Sequence, residues 1–236
     1  MEPAAKFEEL KIPVPSEDGN LEVSGVLGIP EWWPSGARVG VILAPGTSGR
    51  HDDPLLAEIH RQLTERKFLT LRFNFPFGEA GKKRPDPLPV LRQTYRAAVQ
   101  ILSVDPTAAP AHVFIGGMGL GAKVASHVAT DRVRVTGLYA LGYPLHVTGK
   151  PEKLDADQLY RIITPMLFVQ GDRAKNCDLD VLRRTLGRVG APTALQVIPE
   201  ADHLFKVSKK SGRDPDDVLA EILGALESWF DKVVGS

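Results

Sequence analysis

Short apolar runs alternate with segments of helical periodicity from residue 39 to the end of the chain. Residues 39–45, VGVILAP, form a continuous apolar run rich in β-branched residues, which is typical of a strand buried on both faces. Residues 54–67 then place apolar side chains at helical spacing. Because strands joined through helices need right-handed crossovers, this alternation predicts a three-layer α/β sandwich, with a mainly parallel, twisted sheet between two helical layers. The same reasoning predicts further strands at 68–74, 112–117, 135–142, 166–171 and 193–199, and further helices at 88–103, 121–130, 179–189 and 216–234.

The first thirty residues differ from the rest of the chain because apolar and polar residues alternate one by one. This period of two covers 8–14 and 21–29, and the intervening Asp18, Gly19 and Asn20 are typical turn residues. We therefore expect an antiparallel hairpin ahead of the parallel strands. A chain of 236 residues without internal repeats or long linkers is expected to form one domain over residues 1–236.

Two proline-rich loops, 75–89 and 143–165, each follow a predicted strand at its carboxyl end. In open α/β sheets, ligands bind at this edge. Both loops are longer than the few residues that such connections usually need, so we expect them to form the walls or the lid of a pocket.

The charge balance of the chain argues against partners that are selected by bulk charge. Its 29 basic and 29 acidic residues cancel, so neither nucleic acid nor a membrane surface is an expected partner. The single cysteine, Cys177, rules out an internal disulfide framework and fits a reducing compartment. The chain starts without a basic region followed by an apolar one, and no later apolar run approaches membrane-spanning length. We therefore expect a soluble, cytoplasmic protein.

Two local patterns suggest a cofactor or a metal but have simpler interpretations. The glycine-rich stretch GGMGLGA, residues 116–122, lacks the ending of a P-loop and the acidic ribose partner of a dinucleotide fold. His51, Asp52 and Asp53 have no second histidine at a ligand spacing, and they precede Pro54 as residues at the start of a helix do. No cofactor and no metal site are predicted.

Six motifs, in order along the chain, carry a resemblance to a known family. They read LAPGTSG, LRFNFPFGEAGKKRPDP, FIGGMGLGAKVASH, LGYPLHVTGKPEKL, PMLFVQGD and ADHLFK. Together they resemble the small α/β-hydrolases of the dienelactone-hydrolase-like group, and more narrowly the bacterial relatives of its testis-expressed and chromatin-complex subunit proteins. The resemblance covers roughly residues 10–232. It implies the α/β-hydrolase fold, a nucleophilic serine at a strand-to-helix elbow, a later acid, a histidine base and two backbone oxyanion donors.

When the family's catalytic positions are carried over one by one, the resemblance implies that this chain has the base but lacks the nucleophile and the acid. His203, in ADHLFK, matches the general base. Gly119 stands in the serine position of G-x-S-x-G, and Ala174 stands where the family has its aspartate. Asp172 and Asp178 are nearby carboxylates that could substitute for this acid, although carboxylates in loops are more often plain surface residues. Coupled loss of two catalytic side chains favours natural divergence over a single engineered change.

The oxyanion loop of the family corresponds to Pro45–Gly49, where the backbone amide of Thr47 is one expected donor beside Gly46 and Ser48. The amide of Leu120, directly after the elbow, is the other. Because an amide needs no particular side chain, this feature can survive the loss of the triad. Next to a helix N-terminus, it would form a small pocket for a carboxylate or phosphate.

Three hypotheses for the function follow. The first is a degenerate hydrolase that binds a small carbonyl, carboxylate or phosphate ligand, or a protein partner, without covalent catalysis. The second is an active ester or acyl hydrolase in which His203 activates Ser48, Thr47, Cys177 or water. The third is a structural or interaction subunit with an irrelevant pocket. For the hydroxyls and the thiol, the simpler interpretation is that Thr47 and Ser48 bond their own turn and that Cys177 is an ordinary thiol before a helix.

Overall fold

The computed structural model describes residues 5–16, 19, 21–31, 38–103, 109–131 and 133–235. The strands are β1 Lys6–Val14, β2 Leu21–Ile29, β3 Val39–Ala44, β4 Leu69–Phe73, β5 His112–Met118, β6 Gly137–Leu141, β7 His146–Val147, β8 Lys150–Leu154, β9 Met166–Gly171 and β10 Thr193–Ile198. The helices are α1 Pro54–Glu65, α2 Pro76–Glu79, α3 Leu88–Ser103, α4 Leu120–Val128, α5 Leu179–Leu186 and α6 Pro215–Val234. Two short 3₁₀ helices cover Asp157–Arg161 and Lys209–Ser211.

Eight of the strands form one sheet in the order β1-β2-β4-β3-β5-β6-β9-β10. The strands from β4 to β10 in this order run parallel, whereas β1 pairs with β2 and β2 with β4 in antiparallel fashion. The predicted parallel sheet and its N-terminal hairpin are therefore confirmed. In the predicted turn of the hairpin, Gly19 adopts a φ of 71° and donates its N–H to the Ser16 carbonyl, while Asp18 and Asn20 lie outside the described residues.

The two predicted loops contain short elements that the sequence analysis did not anticipate. Helix α2 lies in the first loop, and the second contains the β7–β8 hairpin and the 3₁₀ helix at Asp157–Arg161. These elements have two to five residues, too few to establish a periodic pattern in the sequence.

Apolar side chains form a core on each face of the sheet. On one face α3, α4 and α5 pack against the sheet, and on the other α1 and α6 do so. Strand β5 serves both cores because its side chains alternate, with Ile115 on the first face and Phe114 on the second. Phe114 packs against Trp229 and Phe230 of α6. In the described part of the chain, no helix combines the length and the apolar character needed to cross a bilayer.

A buried tyrosine fixes the central strand just before its end. The Tyr95 hydroxyl, from α3, donates to the Gly116 carbonyl at 2.6 Å and accepts the Gly116 N–H at 2.7 Å. Tyr139 of the neighbouring β6 donates to the Ile42 carbonyl of β3 at 2.7 Å. These hydroxyls bond backbone atoms of β3 and β5, so they constrain the strands that carry the loops of the candidate site.

A buried histidine joins the N-terminal hairpin to α1. His60 is only 1 % exposed, its Nε2 lies 3.1 Å from the Val26 carbonyl of β2, and its ring contacts Phe7 of β1. Because a carbonyl only accepts, Nε2 carries the proton. Burial, with a smaller contribution from Arg72, lowers the pKa of His60 to about 3.

This lowered pKa predicts an acid-sensitive fold. The unfolded chain binds a proton at His60 near pH 6.5 and the folded chain does not, so His60 adds stability above pH 6.5 that is lost as the pH falls toward 3. The loss between pH 6.5 and 4.5 should be about 2 kcal/mol. Urea unfolding of wild type and His60→Gln across this range measures it. Equal pH slopes for the two proteins would contradict the assignment.

Candidate functional site

The turn between β5 and α4 holds Gly119 in a backbone conformation that few residues adopt. Its φ is 48° and its ψ is −108°. The Gly119 N–H donates to the Leu141 carbonyl at the end of β6, at 2.9 Å, which fixes the turn to the neighbouring strand. A Cβ added at Gly119 would meet no atom within 4 Å. The turn therefore faces open space, and the position that is predicted to correspond to the family serine has room for a side chain.

The two glycines that flank this turn are needed for close packing. A Cβ at Gly117 would lie 2.3 Å from the Ala44 carbonyl oxygen. A Cβ at Gly121 would lie 2.6 Å from the carbonyl oxygens of both Ala44 and Pro45. Only glycine permits such an approach of backbone to backbone. The end of β3 and the loop after it are thereby held directly against the turn.

The predicted oxyanion loop begins at this contact. A tight turn is closed by the hydrogen bond from the Gly49 N–H to the Gly46 carbonyl at 3.1 Å, and it leaves Thr47 and Ser48 exposed. The Ser48 hydroxyl accepts the Arg50 N–H at 3.2 Å. The Ser48 hydroxyl thus has a local backbone partner. This agrees with the simpler interpretation, in which the hydroxyl bonds its own turn.

The His203 loop lies beside the end of β6. A Cβ at Gly142, the residue after β6, would lie 2.4 Å from the His203 carbonyl oxygen. The Asp202 carboxylate accepts the backbone N–H groups of Leu204 and Lys206, which shapes the turn around His203. The His203 side chain is exposed. The histidine loop therefore contacts Gly142, and the turn at Gly119 contacts the preceding residue, Leu141. Both lie at the end of β6.

The predicted acid position lies next to the same loop. The Arg173 N–H donates to the Ala201 carbonyl at 2.9 Å, and a Cβ at Gly171 would lie 2.3 Å from that same oxygen. Ala174 is buried and Asp172 is exposed, and both line an open groove of about 500 Å³ beside α5, whose lining does not include Thr47, Gly119 or His203. The segments that carry Thr47, Gly119, Ala174 and His203 therefore all lie at the carboxyl edge of the parallel strands.

A buried lysine on α4, behind the turn, pairs with an exposed aspartate, and no pattern in the sequence predicts this pair. Lys123 is 8 % exposed and pairs with the Asp155 carboxylate at 2.9 Å, and its Nζ lies 5.1 Å from the centre of the Tyr143 ring. Burial lowers the pKa of Lys123, while Asp155 opposes this shift. Ser126 is also buried, and it donates to the Lys123 carbonyl. The separation of 32 positions between Lys123 and Asp155 explains why no local pattern indicates the pair.

Cys177 is a poor candidate for a nucleophile. It is 2 % exposed, and burial together with the charge of Asp178 raises the pKa of its thiol to about 12. Asp178 is the N-cap of α5, so the thiol does lie directly before a helix. Asp53 in turn caps α1, where Pro54 occupies the first turn. Within the described ranges, no three His, Cys, Asp or Glu side chains are grouped as a metal site would require.

The fold and this arrangement of loops define the class of protein. Residues 37–231 match the alpha/beta hydrolase domain family, and the chain belongs to that family.

Solved structures share the fold at low sequence identity. A dienelactone hydrolase from Anabaena variabilis is 21 % identical, with 96 % of this chain and 97 % of that one covered and a TM-score of 0.72. An alpha-beta serine hydrolase homologue from Coxiella burnetii is 19 % identical, with 93 % and 95 % covered and a TM-score of 0.70. An esterase from Pyrococcus furiosus is 16 % identical, with 95 % and 93 % covered and a TM-score of 0.71.

The raised pKa of Cys177 predicts an unreactive thiol. At pH 8 a thiol with a pKa near 12 is ionised to about one part in ten thousand, and only the thiolate is nucleophilic. Iodoacetamide should therefore leave Cys177 unmodified in the native protein and alkylate it fully in guanidinium, as followed by mass spectrometry. Rapid alkylation of the native protein would contradict this and return Cys177 to the list of nucleophiles.

Proposed function

We propose that this α/β-hydrolase-family protein binds a small carbonyl, carboxylate or phosphate ligand at the turn around Gly119 without forming an acyl-enzyme. In this proposal Gly119 replaces the nucleophilic serine and Ala174 replaces the acid of the family triad. The observation that carries this proposal is made at Gly119. Its backbone forms a sharp strand-to-helix turn, and open space lies where a side chain would project. Glycine has no atom that can attack a carbonyl, so a ligand held there keeps its acyl bond.

The chemistry of the turn favours an anionic or carbonyl ligand. The first N–H groups of a helix have no partner within the helix, and α4 begins at Leu120 without a side-chain cap from Gly119. Because the Gly119 N–H is bound to Leu141, we propose the Leu120 amide and, from the loop after β3, the Thr47 amide as donors to the ligand. Two N–H groups and the positive end of a helix dipole stabilise negative charge on oxygen.

The alternative of an active hydrolase rests on His203, which is exposed in the loop that contacts the end of β6. The burial of Cys177 and the local hydrogen bond of the Ser48 hydroxyl weaken two of its candidate nucleophiles. Thr47 and water remain candidates. Ester hydrolysis by wild type and by His203→Ala separates this alternative from ligand binding.

Three broader expectations accompany the proposal. The single buried cysteine fits a reducing compartment, and we propose a cytoplasmic location on that basis. The chain is proposed to act as one domain over residues 1–236, with small molecules as its main partners and a protein partner as the alternative. The narrower resemblance to bacterial relatives of the testis-expressed and chromatin-complex subunit proteins also remains a proposal, which rests on the six sequence motifs.

The first test is hydrolysis of short-chain p-nitrophenyl esters. Wild type and His203→Ala should hydrolyse them at closely similar, low rates, since any residual rate would come from amide donors and binding. Gly119→Ser combined with Ala174→Asp should raise kcat/KM by at least about a hundredfold, because it supplies a nucleophile and an acid beside His203. Gly119→Ala, which imposes the same backbone strain without a hydroxyl, is the matched control.

Saturable wild-type turnover that disappears in His203→Ala would overturn the proposal in favour of the active hydrolase. An inactive double variant that is folded would instead show that the positions assigned to the nucleophile and the acid are wrong. Circular dichroism and thermal unfolding establish folding in each case.

The second test measures binding directly. Inorganic phosphate and acetate should each perturb the Leu120 and Thr47 amide resonances of wild type in a saturable manner. Gly119→Leu should weaken this binding at least about tenfold because its side chain fills the space over the turn, and Gly119→Ala should change it little. Similar affinity in Gly119→Leu and wild type would place the ligand elsewhere.

A further inference from the structure

A partly buried carboxylate joins three segments next to the predicted oxyanion loop. Glu79, the last residue of α2, accepts the Ser24 N–H at 3.0 Å and the Ser24 hydroxyl at 2.7 Å. It also accepts the side-chain amide of Asn74 at 2.6 Å and the ammonium of Lys11 at 3.1 Å. Burial alone would raise the pKa of Glu79, but these hydrogen bonds outweigh it and lower the pKa to about 2. Strands β1 and β2 and the loop after β4 all meet at this group.

Asn74 connects this carboxylate to the loop at the site. It is 7 % exposed, and its Oδ1 accepts the His51 N–H at 2.7 Å while its Nδ2 donates to Glu79. An N–H on one side and a carboxylate on the other fix the orientation of the amide. His51 is further held by Arg72, which donates to the His51 carbonyl at 2.6 Å.

Backbone contacts hold the same loop at a second point. The Phe75 N–H donates to the Gly49 carbonyl at 2.8 Å. A Cβ at Gly78 would lie 2.1 Å from the Gly49 carbonyl oxygen, and a Cβ at Gly49 would lie 2.5 Å from the Phe77 ring. Since Gly49 closes the turn that contains Thr47, the 74–79 segment and the oxyanion loop pack as one unit.

We propose that Asn74 and Glu79 are positioning residues that hold the 46–51 segment, and with it the Thr47 amide, against the turn at Gly119. Through Glu79, the N-terminal hairpin contributes to this arrangement. The hairpin lies on one side of β4 in the sheet, and β3, which carries the oxyanion loop, lies on the other. The role in holding the segment depends only on the contacts above, whereas the role in ligand binding rests on the proposed function.

The test uses variants that alter these hydrogen bonds without changing side-chain size. Asn74→Leu removes both bonds of the amide. Asn74→Asp keeps an acceptor for the His51 N–H but sets a second carboxylate against Glu79. Adding Glu79→Gln to Asn74→Asp restores the hydrogen bond between the two positions. The amide at position 79 then donates to the carboxylate at position 74. The matched control is Glu227→Gln on α6, which alters a surface ion pair with Arg66, the residue directly after α1.

Native-state amide hydrogen exchange is the readout for the first role. The His51 amide should exchange at least about tenfold faster in Asn74→Leu and in Asn74→Asp than in wild type, because its buried acceptor is lost or displaced. The double variant should recover part of the protection that Asn74→Asp loses. Amides in β5 and α4 should be unaffected, as should every amide in Glu227→Gln. Unchanged exchange at residues 46–51, or loss of protection throughout the sheet, would overturn the proposal.

The second role is read from phosphate affinity and, in the Gly119→Ser/Ala174→Asp background, from ester hydrolysis. Both should weaken in Asn74→Leu and Asn74→Asp and recover in the double variant, with the change in hydrolysis appearing in kcat rather than in KM. Faster exchange with unchanged affinity and unchanged kcat would overturn the link to the site. Should wild type bind no phosphate and the reconstituted variant remain inactive, the proposed function fails, and hydrogen exchange still decides whether Asn74 and Glu79 hold the segment.

Discussion

The whole site depends on the approach of two backbones at the end of the central strand. Gly117 and Gly121 lie so close to the Ala44 and Pro45 carbonyls that any side chain at either position would force β3 and α4 apart. This contact sets the position of the loop after β3, the direction of α4 and the sharpness of the turn between them. A side chain at Gly119, between the two, would meet no such contact, and only its φ of 48° favours glycine there.

In the function that we propose, this difference explains how the site keeps its shape without a nucleophilic serine and its acid. The anion-binding elements that we propose are backbone amides, and their positions follow from strand and helix packing rather than from side-chain identity. That backbone is held by the Tyr95 hydroxyl, by the pairing of the buried Lys123 with the exposed Asp155, and by the hydrogen bond between Gly119 and Leu141. None of them requires a hydroxyl at residue 119 or a carboxylate at residue 174.

The layers and the mainly parallel direction of the strands can be predicted from the sequence because both depend on repeated local patterns. The continuous apolar runs of β3 and β5 and the helical spacing of α1 were sufficient to predict a parallel sheet with two helical layers. Helix α2 and the β7–β8 hairpin were missed because they are too short to have a period. The hydrogen bonds of Glu79 were missed for another reason: Ser24 lies 55 residues and Lys11 lies 68 residues away, so only the fold brings them together.

The hydrogen bonds of Glu79 also bear on which parts of such a protein can be exchanged between relatives. The family match begins at residue 37, after the hairpin of β1 and β2, yet Lys11 and Ser24 of that hairpin satisfy a carboxylate inside the matched region. A hairpin grafted from a relative with different residues at these two positions would leave the carboxylate short of partners. We therefore expect that the hairpin and the 74–79 segment can be exchanged between relatives only as a pair.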